Sequence, residues 1–233
     1  MTPDLSLSPI VNEHLRAVAE AASSESLLAA TRALVALCPS LPAHSDDQQA
    51  VIRGLMDLLA TNNPGAAVAA VDGLIACGAA AVEPLLHNLD AHNYGARAWA
   101  VRALASIGDP RGLPVLEKAA GEDIGPSVRR AAARGLGNLD LGALEAGQRL
   151  RVQERCLRAL EASCRDGEWV VRYAAVVGME MFLAHAPADL AERGITSLER
   201  LQSSDGEEVA VVRLRACQAL EPRGDRPEEG STP

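Results

Sequence analysis

The sequence predicts an all-α fold in which one helix–turn–helix unit recurs along the chain. Composition is the first reason. The 233 residues include 43 alanines and 31 leucines but only five aromatics: Tyr94, Trp99, Trp169, Tyr173 and Phe182. Alanine and leucine are strong helix formers, whereas sheets favour aromatic and β-branched residues. Internal repetition is the second. Ala66–Leu74, Ala96–Leu104, Val128–Leu136, Val171–Met179 and Val212–Leu220 align without gaps. One column of that alignment holds Arg97, Arg129, Arg172 and Arg213; another holds Ala70, Ala100, Ala132, Ala175 and Ala216. Local punctuation is the third, because start and stop residues flank these segments.

In chain order, partner helices are expected near 13–22, 25–37, 47–60, 80–90, 111–120, 148–164 and 188–202. Within Asp47–Ala60, Val51, Leu55, Leu58 and Leu59 recur at helical spacing. Asn63–Pro64 and Asp109–Pro110 place an N-cap before a first-turn proline. Ser45 with Gln48, and Ser204 with Glu207, have capping-box spacing. Gly78, Gly108 and Gly137 stand where helices stop and a left-handed residue is expected. A single unit cannot bury its apolar side; stacked units share one core, and small residues in the alanine column let neighbours approach. The fold is therefore read as a HEAT-like α-solenoid of helix–turn–helix repeats. Residues 1–45 form an N-terminal helical cap, 46–220 the repeats, and 221–233 a polar tail expected to be disordered.

The net charge of −9 argues against nucleic acid as a partner. No run approaches 18 uninterrupted apolar residues, so no membrane insertion is expected. The start, Met1–Thr2–Pro3–Asp4, has no signal-peptide character, and a cytoplasmic location is expected. Cys38, Cys77, Cys156, Cys164 and Cys217 include no CxxC pair and read as free, mostly buried thiols. The histidines show no metal-binding spacing, so no metal site is expected. No phosphate-binding or nucleophile-elbow motif occurs.

At about 100° per residue, Val128, Ala132, Gly135 and Leu136 share the core side of their helix. Arg130 and Arg134 lie opposite. Across the repeats Arg130 aligns with Tyr173, Arg134 with Arg102 and Asp72, and Tyr94 with Trp169. Tyr94, Arg102, Arg130, Arg134, Trp169 and Tyr173 thus form one outward stripe on the second helices, the usual binding side of a solenoid. Arginines and aromatics together are common anchors of binding surfaces. Trp99 falls toward the core. The recurring Arg97/Arg129/Arg172/Arg213 column reads as structural, bonding turn carbonyls or acidic caps of the neighbouring unit. Asp90 and Asp109 read as caps.

The stretches Asn62–Gly78, Asn93–Leu113 (NYGARAWAVRALASIGDPRGL), Pro126–Leu139 and Glu168–Glu180 carry a family resemblance. Together they resemble the E/F-type phycobilin lyases, and their order is most similar to the F-type subunits. The resemblance covers about residues 50–220. It implies an enzyme subunit that, with an E-type partner in a heterodimer, attaches phycocyanobilin through a thioether to a cysteine of a phycobiliprotein α subunit, that of phycocyanin. The reactive cysteine then belongs to the acceptor, and the bilin is a bound substrate rather than a cofactor. Relatives that also isomerise the chromophore carry a His–Cys dipeptide, and none occurs here. Arg102, Arg130 and Arg134 are candidates for the bilin propionates, Trp169 and Tyr173 for its rings, and Tyr94 or His92 for a catalytic proton donor. Leu28, Val35 and Met56 are candidates either for the E-type interface or for the core. The alternative reading is a non-catalytic repeat scaffold or chaperone for phycobiliprotein assembly or disassembly.

Overall fold

The computed structural model describes residues 7–87 and 93–221. Among them are twelve α-helices and no strand. They are α1 (Pro9–Ala19), α2 (Ser24–Val35), α3 (Asp46–Leu58), α4 (Pro64–Cys77), α5 (Val82–His87), α6 (Tyr94–Ile107), α7 (Leu113–Glu122), α8 (Pro126–Leu136), α9 (Ala146–Ser163), α10 (Trp169–Leu183), α11 (Ala188–Gln202) and α12 (Ala210–Leu220). Each odd-numbered helix pairs with the next. The even-numbered helices pack in sequence from α2 to α12, forming one layer, and most odd-numbered ones pack on their nearest odd neighbours. Helices α1 and α2 make a pair that stacks on α3 and α4 like the later pairs. The expected tail lies outside the described residues, save Glu221.

The alanine column does what stacking requires: Ala70, Ala132, Ala175 and Ala216 are fully buried between helices and Ala100 nearly so. The tightest approach joins α8 to α10. A Cβ on Gly178 would overlap the Ala133 carbonyl and reach 2.9 Å from Leu160 Cδ2; one on Gly137 would stand 2.6 Å from the carbonyl carbon of Gly178. Gly137 is therefore glycine for proximity. Its φ of −83° is not left-handed, contrary to the sequence expectation. Gly78 and Gly108 do have positive φ, +57° and +72°. Asn63 and Asn93 cap α4 and α6 through the amides of Ala66 and Ala96. Ser45 caps α3, but the Gln48 side chain accepts from the His44 amide, so the reciprocal half of the box is displaced by one residue. The segment Pro64–His87 is long and apolar enough to cross a bilayer, with a mean hydropathy of 1.8. Gly78 and a short 3-10 turn break it, and α4 is packed against α2, α3 and α6.

The arginine column is a ladder. Arg97 Nε donates to Asp123 at 2.8 Å, Arg129 Nε to Asp166 at 2.7 Å, and Arg172 Nη2 to Glu207 at 2.7 Å. Each acid stands three residues before the second helix of the following pair, at Pro126, Trp169 and Ala210. Each also accepts the backbone amide two residues on, so it holds its own turn. Arg129, Arg172 and Arg213 meanwhile turn Nη1 back to two carbonyls of the loop preceding their own helix. Glu207 is thus a ladder member. It does not form the expected box with Ser204, because α12 starts only at Ala210.

The Arg172 hydrogen bonds hold the Glu207 carboxyl below its ordinary value of 4.5. At Asp166, burial pushes upward, but the Arg129 hydrogen bond and the Glu168 amide outweigh it and the carboxyl lies below 3.8. Depressed carboxylates stabilise the fold fully above their unfolded values, and that stability is lost as pH falls through the folded ones. Thermal melting of the wild type is expected to fall steeply from about pH 5 downward. Glu207→Gln should already be about 2 kcal/mol less stable at neutral pH and show a shallower acid dependence. Parallel pH profiles for the two proteins would refute the ladder's energetic role.

Candidate functional site

Three successive second helices, α6, α8 and α10, enclose a groove of about 830 Å³. Its lining includes Tyr94, Trp99 and Arg102 from α6, Ser127, Arg130 and Arg134 from α8, and Tyr173, Val177 and Met181 from α10. Registry explains the convergence. Arg102 and Arg134 occupy the same column on adjacent helices, as do Arg130 and Tyr173. Stacking the helices side by side brings these columns into one band. The groove floor is set by Ala105, Gly135 and Ala174, small residues whose helices meet closely. A Cβ on Gly135 would stand 2.7 Å from Ala105 Cα.

The groove is cationic on a chain whose net charge is −9. Arg102, Arg130 and Arg134 are exposed, and among the described residues none has a carboxylate partner. Arg129, next to Arg130, is by contrast engaged by Asp166 and by two carbonyls of the loop before its helix. Arg102 lies over the Trp99 ring, 5.6 Å from its centroid, and Arg97 over Tyr94 at the same distance. Over Trp99 such stacking holds the Arg102 guanidinium in place without engaging its N–H fork. The Tyr94 hydroxyl is hydrogen-bonded to Ser127 Oγ. That contact needs Gly125, where a Cβ would come within 2.6 Å of Tyr94 Cζ.

Five of the residues singled out in the sequence, Tyr94, Arg102, Arg130, Arg134 and Tyr173, therefore share one groove. Trp169 does not join them: it begins α10 at the rim, 45% exposed, outside the lining. His92, like Asp90, lies outside the described residues. The expectation that Trp99 falls toward the core holds, but only for part of the side chain. It packs on the core with part of its ring and presents the rest to the groove. The corresponding positions on the next two helices are the small residues Ala131 and Ala174, which leave room for the indole at the groove. Ser127 and Asn138 were not anticipated. Asn138 Nδ2 donates to the Ala105 carbonyl at 3.1 Å, tying the loop after α8 to the groove.

A second hollow of about 770 Å³ adjoins the first through Asn138 and Met181 and is lined by Arg149, Gln153, Cys156, Phe182 and His185. Its thiol is inert: burial pushes Cys156 up to about 12, and burial does the same to Cys164. Cys77 is raised by its hydrogen bond with Cys38 and by burial, and Cys38 is lowered by that same bond. All five cysteines are free thiols, and only Cys217 is less than fully buried. No described cysteine lines the cationic groove. Among the described residues no group of three His, Cys, Asp or Glu side chains could hold a metal ion. Asp109 caps the short turn before α7 through the Arg111 amide.

Residues 52–137 match the HEAT repeats family. The phycobilisome maturation protein of Synechococcus elongatus is 46% identical, covering 88% of this chain and 95% of that protein. The phycocyanobilin lyase subunit beta of Nostoc sp. is 40% identical, covering 90% of this chain and 100% of the relative. Among solved structures, the complex of CpcE and CpcF of phycocyanin lyase from Nostoc sp. PCC7120 contains a similar chain. That chain is 40% identical and superimposes with a TM-score of 0.70, covering 74% of this chain and 99% of that one. Identity at this level over nearly the whole of both chains, on the same stacked helix pairs, places the protein: it belongs to the family of phycocyanobilin lyase beta subunits.

Proposed function

We propose that this chain, paired with an E-type subunit, attaches phycocyanobilin through a thioether to a cysteine of the phycocyanin α subunit in the cyanobacterial cytoplasm. The observation that carries this reading is the juxtaposition of three carboxylate-free guanidiniums with three aromatic rings in one groove. Its volume, about 830 Å³, is in the range that takes a large organic ligand. A bilin is long and flat, apolar along its rings and anionic at two propionates. Arginine forks bind carboxylates bidentately, so Arg102, Arg130 and Arg134 hold the propionates while Trp99, Tyr94 and Tyr173 lie against pyrrole rings. Phycocyanobilin is the substrate, and the chain takes no cofactor of its own.

The chemistry is addition of a thiol across a carbon–carbon double bond of the pigment. The S–C bond forms as the π bond breaks, the electron pair moves into the conjugated system, and a proton restores neutrality there. The thiol proton departs to a base, no group is expelled, and nothing is oxidised or reduced. The nucleophile comes from the acceptor, in keeping with a groove that no described cysteine of this chain lines. A thiol of pKa near 8.5 is only about 3% thiolate at pH 7, and a nearby guanidinium raises that fraction. Tyr94, whose hydroxyl is aligned by Ser127, is the candidate proton donor within the groove. His92 is the second candidate.

Reconstitution tests the proposal. Phycocyanobilin, phycocyanin α apoprotein and this chain are combined with and without an E-type subunit. Covalent pigment is then scored by fluorescence after denaturing electrophoresis. Fluorescence on the α subunit only when both lyase subunits are present is the expected result. A chain that holds apoprotein but never promotes covalent attachment would favour the scaffold reading.

A further inference from the structure

The starts of the second helices form an apolar edge that the fold does not use. Among the described residues eight large apolar side chains are exposed, and four of them stand here: Tyr94, Ile124, Trp169 and Val211, at 42%, 87%, 45% and 43%. Tyr94 and Trp169 open α6 and α10, Ile124 lies two residues before α8, and Val211 is the second residue of α12. Ile124 is the plainest case. Its loop is fixed, because Arg129 Nη1 donates to the Asp123 and Ile124 carbonyls and Asp123 Oδ1 accepts from the Gly125 amide. The side chain nevertheless stands in solvent. The equivalent residues before α10 and α12 are Gly167 and Glu208, so the turn itself does not ask for isoleucine. Three exposed glutamates, Glu122, Glu168 and Glu208, accompany the edge, and none is ion-paired among the described residues. The edge also runs into the groove, because Tyr94 and Ser127 belong to both. With neighbouring helices about 8–10 Å apart, Tyr94 to Trp169 spans about 16–20 Å, the length of a helix of about 12 residues.

We propose that this edge, centred on Ile124 and Trp169, is where the acceptor α subunit docks, presenting an apolar face with lysines or arginines beside its cysteine. Charge selects the occupant. The glutamates repel the pigment's propionates and the anionic headgroups of a membrane. A second copy of this chain, meeting edge to edge, would set glutamate against glutamate on molecules of net charge −9. The tail, PRGDRPEEGSTP, has no large apolar side chain to cover Ile124 or Trp169. A basic acceptor is attracted, and cations beside its thiol raise the thiolate fraction. Position selects as well, because the thiol has to reach the pigment and the edge borders the groove at Tyr94. The acceptor must also leave after each transfer, which suits a short patch rather than the wide apolar area of a permanent interface. This inference rests on the lyase reading above and adds the acceptor's seat.

Transfer kinetics of the assembled heterodimer test this. Ile124→Ser/Glu168→Gln should raise KM for the apoprotein at least tenfold and leave kcat within twofold. Pigment titration, affinity for the E-type subunit and melting temperature should match the wild type. Added salt should raise the wild-type KM, and Glu122→Gln/Glu168→Gln/Glu208→Gln should flatten that dependence. Ile10→Ser, on α1, should change none of these. An unchanged KM in the double variant would overturn the assignment. So would a double variant that weakens pigment binding or the heterodimer, because the edge would then belong to the pigment or to the E-type subunit. Interferometry of apoprotein on the pigment-free heterodimer gives the same comparison without the chemistry. If the wild-type heterodimer transfers no pigment, the lyase reading fails, while a tenfold loss of apoprotein binding in the double variant still upholds the docking edge.

Discussion

The Arg130→Ala/Arg134→Ala double variant is expected to lose chromophore transfer while keeping its helical circular dichroism. Both side chains are exposed and have no carboxylate partner among the described residues, so their removal leaves the core and the ladder intact. If each gives a charge-assisted bond to a propionate worth about 1.5–3 kcal/mol, losing both weakens pigment binding roughly 10²–10⁴-fold. Titrating the pigment by its visible absorbance measures that loss directly, and reconstitution measures its effect on transfer. Arg130→Lys should recover only part of the affinity, since an ammonium keeps the charge and loses the fork. Wild-type transfer by the double variant would remove these arginines from the mechanism.

A single methyl group is expected to do comparable damage by another route. Gly178→Ala puts a Cβ onto the Ala133 carbonyl and 2.9 Å from Leu160 Cδ2. Neither a backbone carbonyl nor a core leucine can yield cheaply, so α8 and α10 must separate, at a cost of about 3 kcal/mol. These same helices carry Arg130, Arg134 and Tyr173 across the groove. The variant should therefore melt several degrees lower and bind pigment more weakly at temperatures where it is still folded. Val177→Ala, one residue away and on the groove wall, should spare the melting temperature by comparison. Equal stability of Gly178→Ala and wild type would contradict the closeness of the two helices.

Much of this architecture is written in periodicity. The recurrence of Arg97, Arg129, Arg172 and Arg213 marks the ladder because each arginine repeats one local task. The outward direction of Arg102, Arg130 and Arg134 follows from helical geometry alone. What the sequence hides are contacts between units. Gly137 has the look of a helix stop, yet its role is proximity to Gly178, 41 residues away, which no local pattern signals. Ser204 and Glu207 have the spacing of a capping box, but the buried Arg172 pair outcompetes it and delays the helix to Ala210. Trp99 packs on the core as its place on the wheel predicts, but a wheel drawn for one helix cannot show that it also lines the groove. With alanines at the facing positions of the next two helices, the indole reaches the groove. Trp169 and Tyr94 share a column, but only Tyr94 has a neighbouring glycine and serine, Gly125 and Ser127, to draw its ring onto the next unit.

The ionic ladder also divides the molecule along its length. From α6 onward each pair is joined to the next by an arginine–carboxylate pair, Arg97–Asp123, Arg129–Asp166 and Arg172–Glu207, whereas at the matching position of α4 stands Ala67. The superhelix therefore stiffens from its beginning toward its end. Its rigid portion coincides with the cationic groove, so the spacing of Arg102, Arg130 and Arg134 is held against the bending that long solenoids otherwise permit, while the opening turns remain free to flex.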